Sequence, residues 1–574
     1  MLRSLPSLSA SSAMRVETAA QAHGDRGNHE DAIACYKQAL YRKSNFPDAF
    51  AGLLKAKNYV CDWTIRGSHL NSLAAVLAVQ LQLDSYDDEV LDSATHSVFF
   101  AQQLKFNNGE EGHRLAMPNA VSAFYGCLPC IQPIDALALT DVIAPRDVQR
   151  LTRRFAARAR ANIALSADLS LHHSVYSVNV FGKTRIHVGY LSANFGNHPV
   201  GHLLAPLLEH HNKARFFVTC YSLSPSDQST WWKQIETGVE GCMKDLSLLS
   251  ASDAARVIQT DGVNLLAHLD GHTANSYNEI LALRPALIQL AFVLGFHGTH
   301  GADYLDYLVA DQVVLGPRKS AGIPGTQYDI DENALVLPNS CIINGHSLEY
   351  QELLDSSDGR PTRTTYGLPE DAFVFAYFGQ LDKLDPIVFA TWMGILKCVP
   401  NSVLWLHVST ECVIDRLRKE SGALGISERQ VHFTDLVQKR ERVYCNVLAD
   451  LVLDTPAHNA ADAILDSLWA GTPVVTLLGS TIATRLSASL CTAAHCPELV
   501  TKSLTHYKDL AVSLAVDANK YWRFRKKLAR PCRDKLPLFD WKKSLRHLEA
   551  GYETVWMRIL DHRPPVDLFV SEEE

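Results

Sequence analysis

His198 lies in the run Phe195-Gly196-Asn197-His198-Pro199, between an apolar strand-like segment and a helical one. An imidazole near neutrality can take a proton from an attacking hydroxyl or donate to a phosphate. Gly196 permits close backbone approach, Pro199 suits a first helical turn, and His202 follows one turn on. A second loop, Phe378 to Pro386, places Lys383 just before a helix opened by Asp385-Pro386. A lysine beside a helix start either faces an anion or is solvated at the surface, and both readings stand from spacing alone. A third loop begins at Asp454 and runs into a helix carrying Asp466, an acid that either accepts hydrogen bonds from a ribose diol or is solvated on the helix surface, both readings standing from the pattern alone. Lys439, before another helix, is a further candidate cation.

These side chains need a frame, and the patterning supplies one. Strand-like runs at Arg185–Leu191, Phe216–Leu223, Val263–Leu269, Leu287–Leu294 and Tyr307–Val309 are separated by helical stretches, including Val200–His211 and Ser252–Thr260. After a Ser-, Asn-, Gly- and Asp-rich stretch over 338–366, the alternation resumes. Phe373–Phe378, Ser402–His407, Val431–Phe433, Leu451–Leu453 and Val474–Leu477 read as strands. Pro386–Cys398, Ile414–Ser421 and Ala460–Ala470 read as helices. Strand–helix alternation predicts parallel sheets in two α/β lobes. Ligands of such sheets bind beyond the carboxyl ends of the strands, where the three loops fall.

Residues 15–60 read as helices. Ala32, Ile33, Tyr36, Ala39 and Leu40 share one face, and Pro47 closes a tetratricopeptide-like pattern with one clear repeat. The expected organisation is a disordered tail over 1–14, repeat-like helices over 15–60 and a helical junction over 61–181. A first lobe over 182–345, a connection over 346–366, a second lobe with closing helices over 367–560 and an acidic tail over 561–574 complete it. The opening residues also have the Arg- and Ser-rich, acid-poor character of a transit peptide.

With 54 basic and 62 acidic residues the net charge is −8, which argues against a dedicated nucleic-acid binder. Hydrophobic residues make up 47%, enough to build cores and exclude global disorder. No apolar run approaches the ~18–20 residues of a membrane helix. The 13 scattered cysteines fit a reducing compartment. Cys127-Leu128-Pro129-Cys130 has no second pair at zinc spacing and reads as structural. Asp329-Ile330-Asp331 mimics a metal-binding triplet but falls in a loop near the lobe connection and reads as solvated.

Beyond these spacings, the chain resembles the protein O-linked N-acetylglucosamine transferase family. The resemblance rests on Val60-Cys61-Asp62-Trp63-Thr64, Phe195 to Pro199, Ala282-Leu283-Arg284-Pro285-Ala286 and Leu294-Gly295-Phe296-His297-Gly298-Thr299. It continues through Val399 to Leu406, Leu453-Asp454-Thr455-Pro456 and Leu468-Trp469-Ala470-Gly471-Thr472-Pro473. It implies a GT-B fold and inverting, metal-independent transfer from UDP-N-acetylglucosamine to Ser/Thr hydroxyls of intracellular proteins, without a cofactor. It implies His198 and Lys383 as catalytic residues. It implies Asn197, His202, Leu294, Gly295, Gln380, Lys439, Arg442, His458 and Asp466 as donor-binding residues, with no metal ligand.

This sequence departs from the family pattern at several of these places. Asp382 stands where the family has a tyrosine, and Ala461, Asp462 and Ala463 replace a histidine and two threonines. His458 replaces a cysteine, Arg442 a histidine and His297 a proline. Asp382 and Asp462 would add negative charge beside a diphosphate, so weak donor binding is expected. Two rival readings stand beside this: from the departures, a catalytically weak or inactive scaffold that binds proteins, and, from the resemblance to plant proteins that use GDP-fucose, a protein O-fucosyltransferase. Expected partners are protein acceptors and a UDP-sugar, with self-association left open and no nucleic acid or membrane. The expected location is cytoplasm, nucleus or both.

Overall fold

The computed structural model describes residues 8–44, 46–64, 66–82, 129–139, 143–164, 185–239, 242–316, 330–355 and 361–572. Two parallel sheets carry the structure. The first holds β1 (Ile186–Ser192), β2 (Phe216–Ser222), β3 (Met243–Asp245), β4 (Leu265–His268), β5 (Ile288–Phe292), β6 (Tyr307–Asp311) and β7 (Asn333–Leu337). The second holds β8 (Phe373–Tyr377), β9 (Ser402–His407), β10 (Val431–Thr434), β11 (Leu451–Leu453), β12 (Val474–Leu477) and β13 (Val500–Thr501). β14 (Leu568–Phe569) returns to the first sheet and pairs in parallel with β7.

The first sheet runs β14-β7-β6-β5-β4-β1-β2-β3, the second β10-β9-β8-β11-β12-β13. Each contains the doubly wound order in which the chain starts centrally, winds outward, then crosses over and winds the other way. The strand order reverses between β1 and β4 in one lobe and between β8 and β11 in the other. Such switch points open crevices at the carboxyl ends of the strands. The central strands are buried on both faces, as covered parallel sheets require. Trp392, Trp405 and Trp469 are fully buried in the second lobe's core.

Three helices, Leu8–Asp25, His29–Arg42 and Pro47–Tyr59, form the N-terminal region, in keeping with a repeat-like hairpin and its successor. Ala32, Ile33, Tyr36 and Ala39 are buried as the spacing predicts. A side chain at Gly52 would strike the Tyr36 ring. This region docks on the second lobe: Arg416 pairs with Glu30 at 2.6 Å and donates to the Val60 carbonyl at 3.1 Å. The Trp63 and Phe389 rings lie 5.5 Å apart.

Several expected boundaries shift. The first helix, Leu8–Asp25, buries Ala13, so residues 8–14 of the expected tail over 1–14 are helical, while residues 1–7 lie outside the described residues. The expected acidic tail over 561–574 contains β14, and the preceding Trp541–Leu560 helix packs under the first lobe through a Tyr552–Tyr190 hydroxyl contact of 3.1 Å. The expected helix Val200–His211 divides into Pro199–Leu204 and a short turn at Leu208–His210. Pro206 lies between them, and a proline has no N–H to continue the ladder. Much of the expected junction over 61–181 lies outside the described residues, as do Cys127 and Asp329. Asp331 is bound by Arg153 and Gln149. Among the described residues, no helix is long and apolar enough to cross a membrane, and no group of three or more His, Cys, Asp or Glu could hold a metal ion.

Candidate active site

Four loops at strand ends converge on the two switch points. After β1, Ser192, Ala193 and Asn194 all donate to the Asp270 carboxylate at the end of β4, at 2.5–2.9 Å. This ties the two loops of the first crevice together. Asp227 accepts from the Asn197 backbone at 2.6 Å, and a side chain at Gly196 would collide with that carboxylate. His198 caps the Pro199–Leu204 helix, its Nδ1 accepting from Val200 N at 3.3 Å. Asn197 Oδ1 lies 3.0 Å from His202 Nε2, and His202 packs on Trp231 with centroids 4.2 Å apart.

Burial pushes His198 down to about 4, with Asp462 opposing. It pushes His202 down to about 3, where Lys439 adds to the effect. Both imidazoles are therefore neutral near pH 7. A neutral His198 has one lone pair, here on Nδ1 toward Val200 N–H, so taking a proton requires that this cap bond be released or the tautomer switched. Its sensitivity to Asp462, and that of His202 to Lys439, Asp462, Arg442 and Asp466, bring the first lobe's loop to the second lobe's Ala461–Trp469 helix.

In the second lobe, the Gln380 carbonyl accepts from the Tyr377 hydroxyl at 2.7 Å, while the residue itself is exposed. Lys383 donates to the Asn459 carbonyl at 3.1 Å, which aims its ammonium at the loop after β11. Burial lowers its titration point, and Asp382, Asp454 and Asp462 oppose. Asp385 caps the next helix through the Ile387 and Val388 N–H groups, as Asp-Pro predicts. Asp382 is buried between this loop and the N-terminal region. Its backbone carbonyl accepts from Asn58 Nδ2, and its carboxyl bonds Tyr59 of the N-terminal region while bearing on the Lys383 ammonium.

Lys439, Arg442, Asp462 and Asp466 form one network. Lys439 Nζ lies 2.6 Å from Asp462 and 2.8 Å from Asp466. Arg442 reaches Asp462 at 2.6 Å and Asp466 at 3.3 Å. His346 Nε2 lies 2.9 Å from Asp466 Oδ1. Burial alone would raise both carboxylates, but the two cations outweigh it and hold both below the usual range. Asp466 is fully buried, with acceptor directions already engaged by three protein groups. Asp462 does not stand alone as a negative charge, because two cations meet two carboxylates.

Leu294 and Gly295 follow β5 beside the crevice, with Gly295 N donating to the Leu269 carbonyl at 2.9 Å. His297 Nδ1 meets His458 Nε2 of the other lobe at 2.8 Å. The structure brings Asn197 to His202, Lys439 and Arg442 to Asp466, and Lys383 to the Asn459 carbonyl beside His458. Asp227, Asp270, His346 and Asn58 were not foreseen as contributors. Only the acid content of loops at strand ends hinted at the first two.

A two-lobed, doubly wound fold with a cation-lined interlobe site matches one family model across both lobes. Residues 145–357 and 358–548 match the model for glycosyl transferase family 41. The chain belongs to glycosyl transferase family 41.

Relatives and a solved structure agree with that placement. The family 41 chain is 37% identical over 435 residues to a protein of Arabidopsis thaliana named probable UDP-N-acetylglucosamine–peptide N-acetylglucosaminyltransferase SEC, covering 75% of this chain and 43% of that one. It is 28% identical over 529 residues to the UDP-N-acetylglucosamine–peptide N-acetylglucosaminyltransferase of Caenorhabditis elegans, covering 72% and 46%. The chain therefore spans under half the length of these two relatives. A lysine-to-methionine mutant of Thermobaculum terrenum O-GlcNAc transferase superposes with a TM-score of 0.64 at 20% identity. That overlay covers 97% of this chain and 100% of the other, and supports the GT-B-like fold.

Proposed function

We propose that this family 41 chain transfers N-acetylglucosamine from UDP-N-acetylglucosamine to Ser/Thr hydroxyls of proteins, with inversion and without a metal. The observation that supports the reading is that neutral His198 of the first lobe lies within the influence of Asp462, a member of the second lobe's Lys439–Asp466 network, while Lys383 of that same lobe is turned toward the loop after β11. His198 takes the acceptor hydroxyl's proton as oxygen attacks the anomeric carbon. UDP departs from the opposite face, so one displacement inverts the centre. The Lys383 ammonium stabilises the charge growing on the diphosphate, a role that asks nothing of a metal. The printed names of the relatives support the donor and the peptide acceptor. The proposed setting is cytoplasmic or nuclear, with intracellular proteins as partners.

The test is a calorimetric titration with UDP, UDP-N-acetylglucosamine and GDP-fucose in excess chelator, followed by transfer to a Ser/Thr peptide. Binding of the uridine ligands and chelator-resistant transfer are expected. Selective GDP-fucose binding would replace the sugar. Loss of transfer in chelator would overturn the metal-free mechanism. Absence of any nucleotide binding would leave the scaffold reading.

A further inference from the structure

His297 and His458 come from different lobes, each from a loop beyond the carboxyl end of a central strand. Their nitrogens stand 2.8 Å apart, and the rings cross nearly at right angles, 87° between planes. At that distance one hydrogen fits between the rings, so one imidazole donates its N–H and the other supplies a lone pair. The contact requires a lone pair on one ring, and burial beside Lys383 keeps the other neutral as well. Burial and then Lys383 hold His297 down to about 3, where the Leu294 backbone opposes. Burial, Lys383 and His297 hold His458 well below the ordinary range. Lys383 is the charged group bearing on both rings, and it is itself faced by Asp382, Asp454 and Asp462.

A diphosphate lodged against Lys383 needs more than one cation. The neighbouring helix start offers only apolar side chains at Ala461 and Ala463, and Asp462 is engaged with Lys439 and Arg442. The Lys383 ammonium bears on both imidazoles, and its own acceptor, the Asn459 carbonyl, is next in sequence to His458.

We propose that the His297–His458 pair is a proton-loaded grip for the donor's diphosphate. The ring-to-ring hydrogen bond breaks when the ligand arrives. The freed ring lone pair binds a proton taken from solvent, and the new imidazolium N–H donates to a phosphate oxygen. The two diphosphate charges are then met by Lys383 and one imidazolium. The proton returns to solvent when the nucleotide leaves and the rings rejoin. A unit negative charge at ~4 Å, at an effective dielectric of about 20, moves a titration point upward by about three pH units. Two such charges suffice to carry a ring from about 3 to near neutrality. The proposal rests on the UDP-sugar reading above.

The test is isothermal titration of the full chain with UDP-N-acetylglucosamine at pH 7, without peptide, in buffers of different ionisation enthalpy. The phosphates of this ligand are diesterified and do not titrate near neutrality, so proton uptake reports the protein. Close to one proton taken up per ligand is expected. In the double variant His297→Gln/His458→Gln, which keeps N–H donors but no titrating ring, uptake should vanish and affinity drop at least tenfold. Binding without uptake by the natural protein overturns the proposal and leaves the donor reading intact. Undiminished uptake in the double variant overturns it equally. Failure of the natural protein to bind the ligand overturns both.

Discussion

Arg442 Nη2 donates to Asp462 Oδ2 at 2.6 Å. Both residues depart from the pattern of the transferases this chain resembles, and they depart together, in contact. An acid alone at position 462 would repel a diphosphate. Beside Arg442 and Lys439 it is instead one member of a charge-balanced cluster that also fixes Asp466. The pair exchanges neutral phosphate donors for an internal ion pair, which moves the burden of binding the diphosphate toward Lys383.

A double-mutant cycle checks this coupling. Arg442→Met leaves Asp462 and Asp466 with one cation, and Asp462→Asn leaves the cations in excess. Each single change should destabilise the fold by about 1–3 kcal/mol, less than a fully buried pair because both side chains keep some exposure. The double variant should cost at least 1 kcal/mol less than the sum. Urea denaturation of the four proteins gives the answer, and strict additivity would dissolve the pairing.

Lys383→Met should lower transfer about 10²–10³-fold with an unchanged melting profile, since it removes a stabiliser of developing charge. Unaltered single-turnover rates would remove Lys383 from the chemistry.

His198→Ala should lower the transfer rate about 10²–10⁴-fold, the usual worth of a positioned proton acceptor. Donor affinity, read by titration, should change little, because His198 acts on the acceptor's proton. A loss confined to donor binding would reassign it.

The doubly wound lobes were legible from strand–helix alternation, and the Ala460–Ala470 prediction sits within one residue of the observed Ala461–Trp469 helix at each end. β3 escaped because its edge residues Met-Lys-Asp, one half-buried and two exposed, carry no apolar pattern. β7 escaped although its last four residues are buried, because it abuts the polar stretch read as a connection. β14 is two residues long and gains its identity only by pairing with β7. In the site, loops at strand ends disclosed His198, Lys383 and Asp466. What each touches was hidden. His346, read as the first residue of a connection, bonds Asp466, and Asp382, read as lying beside a phosphate, also bonds Asn58 and Tyr59. Partnerships between residues far apart in sequence depend on how the lobes and helices dock, and hydrophobic period says nothing of that.

The contact of Asn58 with the Asp382 carbonyl makes the N-terminal region a support for the turn that carries Lys383. Asn58→Ala should cost about 1 kcal/mol in stability, a typical hydrogen-bond value. It should lower kcat severalfold with little change in donor KM, because it loosens the placement of the lysine rather than its charge. Steady-state kinetics separate the two. A change in KM alone would mean the contact serves binding and not placement.

Acid should unfold this protein earlier than its carboxylates alone would dictate. His202, His272 and His407 are buried, and burial pushes them down to about 3, 4 and 3 respectively. The unfolded chain binds protons at these positions from about pH 6.5 downward, whereas the folded chain does not until near pH 4. Stability from each neutral ring is therefore fully present above about pH 6.5 and is lost as pH falls toward the folded value. For one fully buried ring the loss reaches about 3 kcal/mol at pH 4. Raised carboxylates such as Glu332, pushed by burial to about 7, act in the opposite sense, so a single curve does not isolate the histidines. The discriminating variant is His407→Phe. His407 stacks on Phe378 with centroids 4.2 Å apart, and its buried Nε2 has no hydrogen-bond partner among the described residues, so a phenyl ring keeps the packing and removes the proton site. Melting temperatures of natural and substituted protein should agree within a few degrees at pH 7.5. At pH 5 the variant should be the more stable, and equal acid sensitivity of the two would show that His407 takes no part in it.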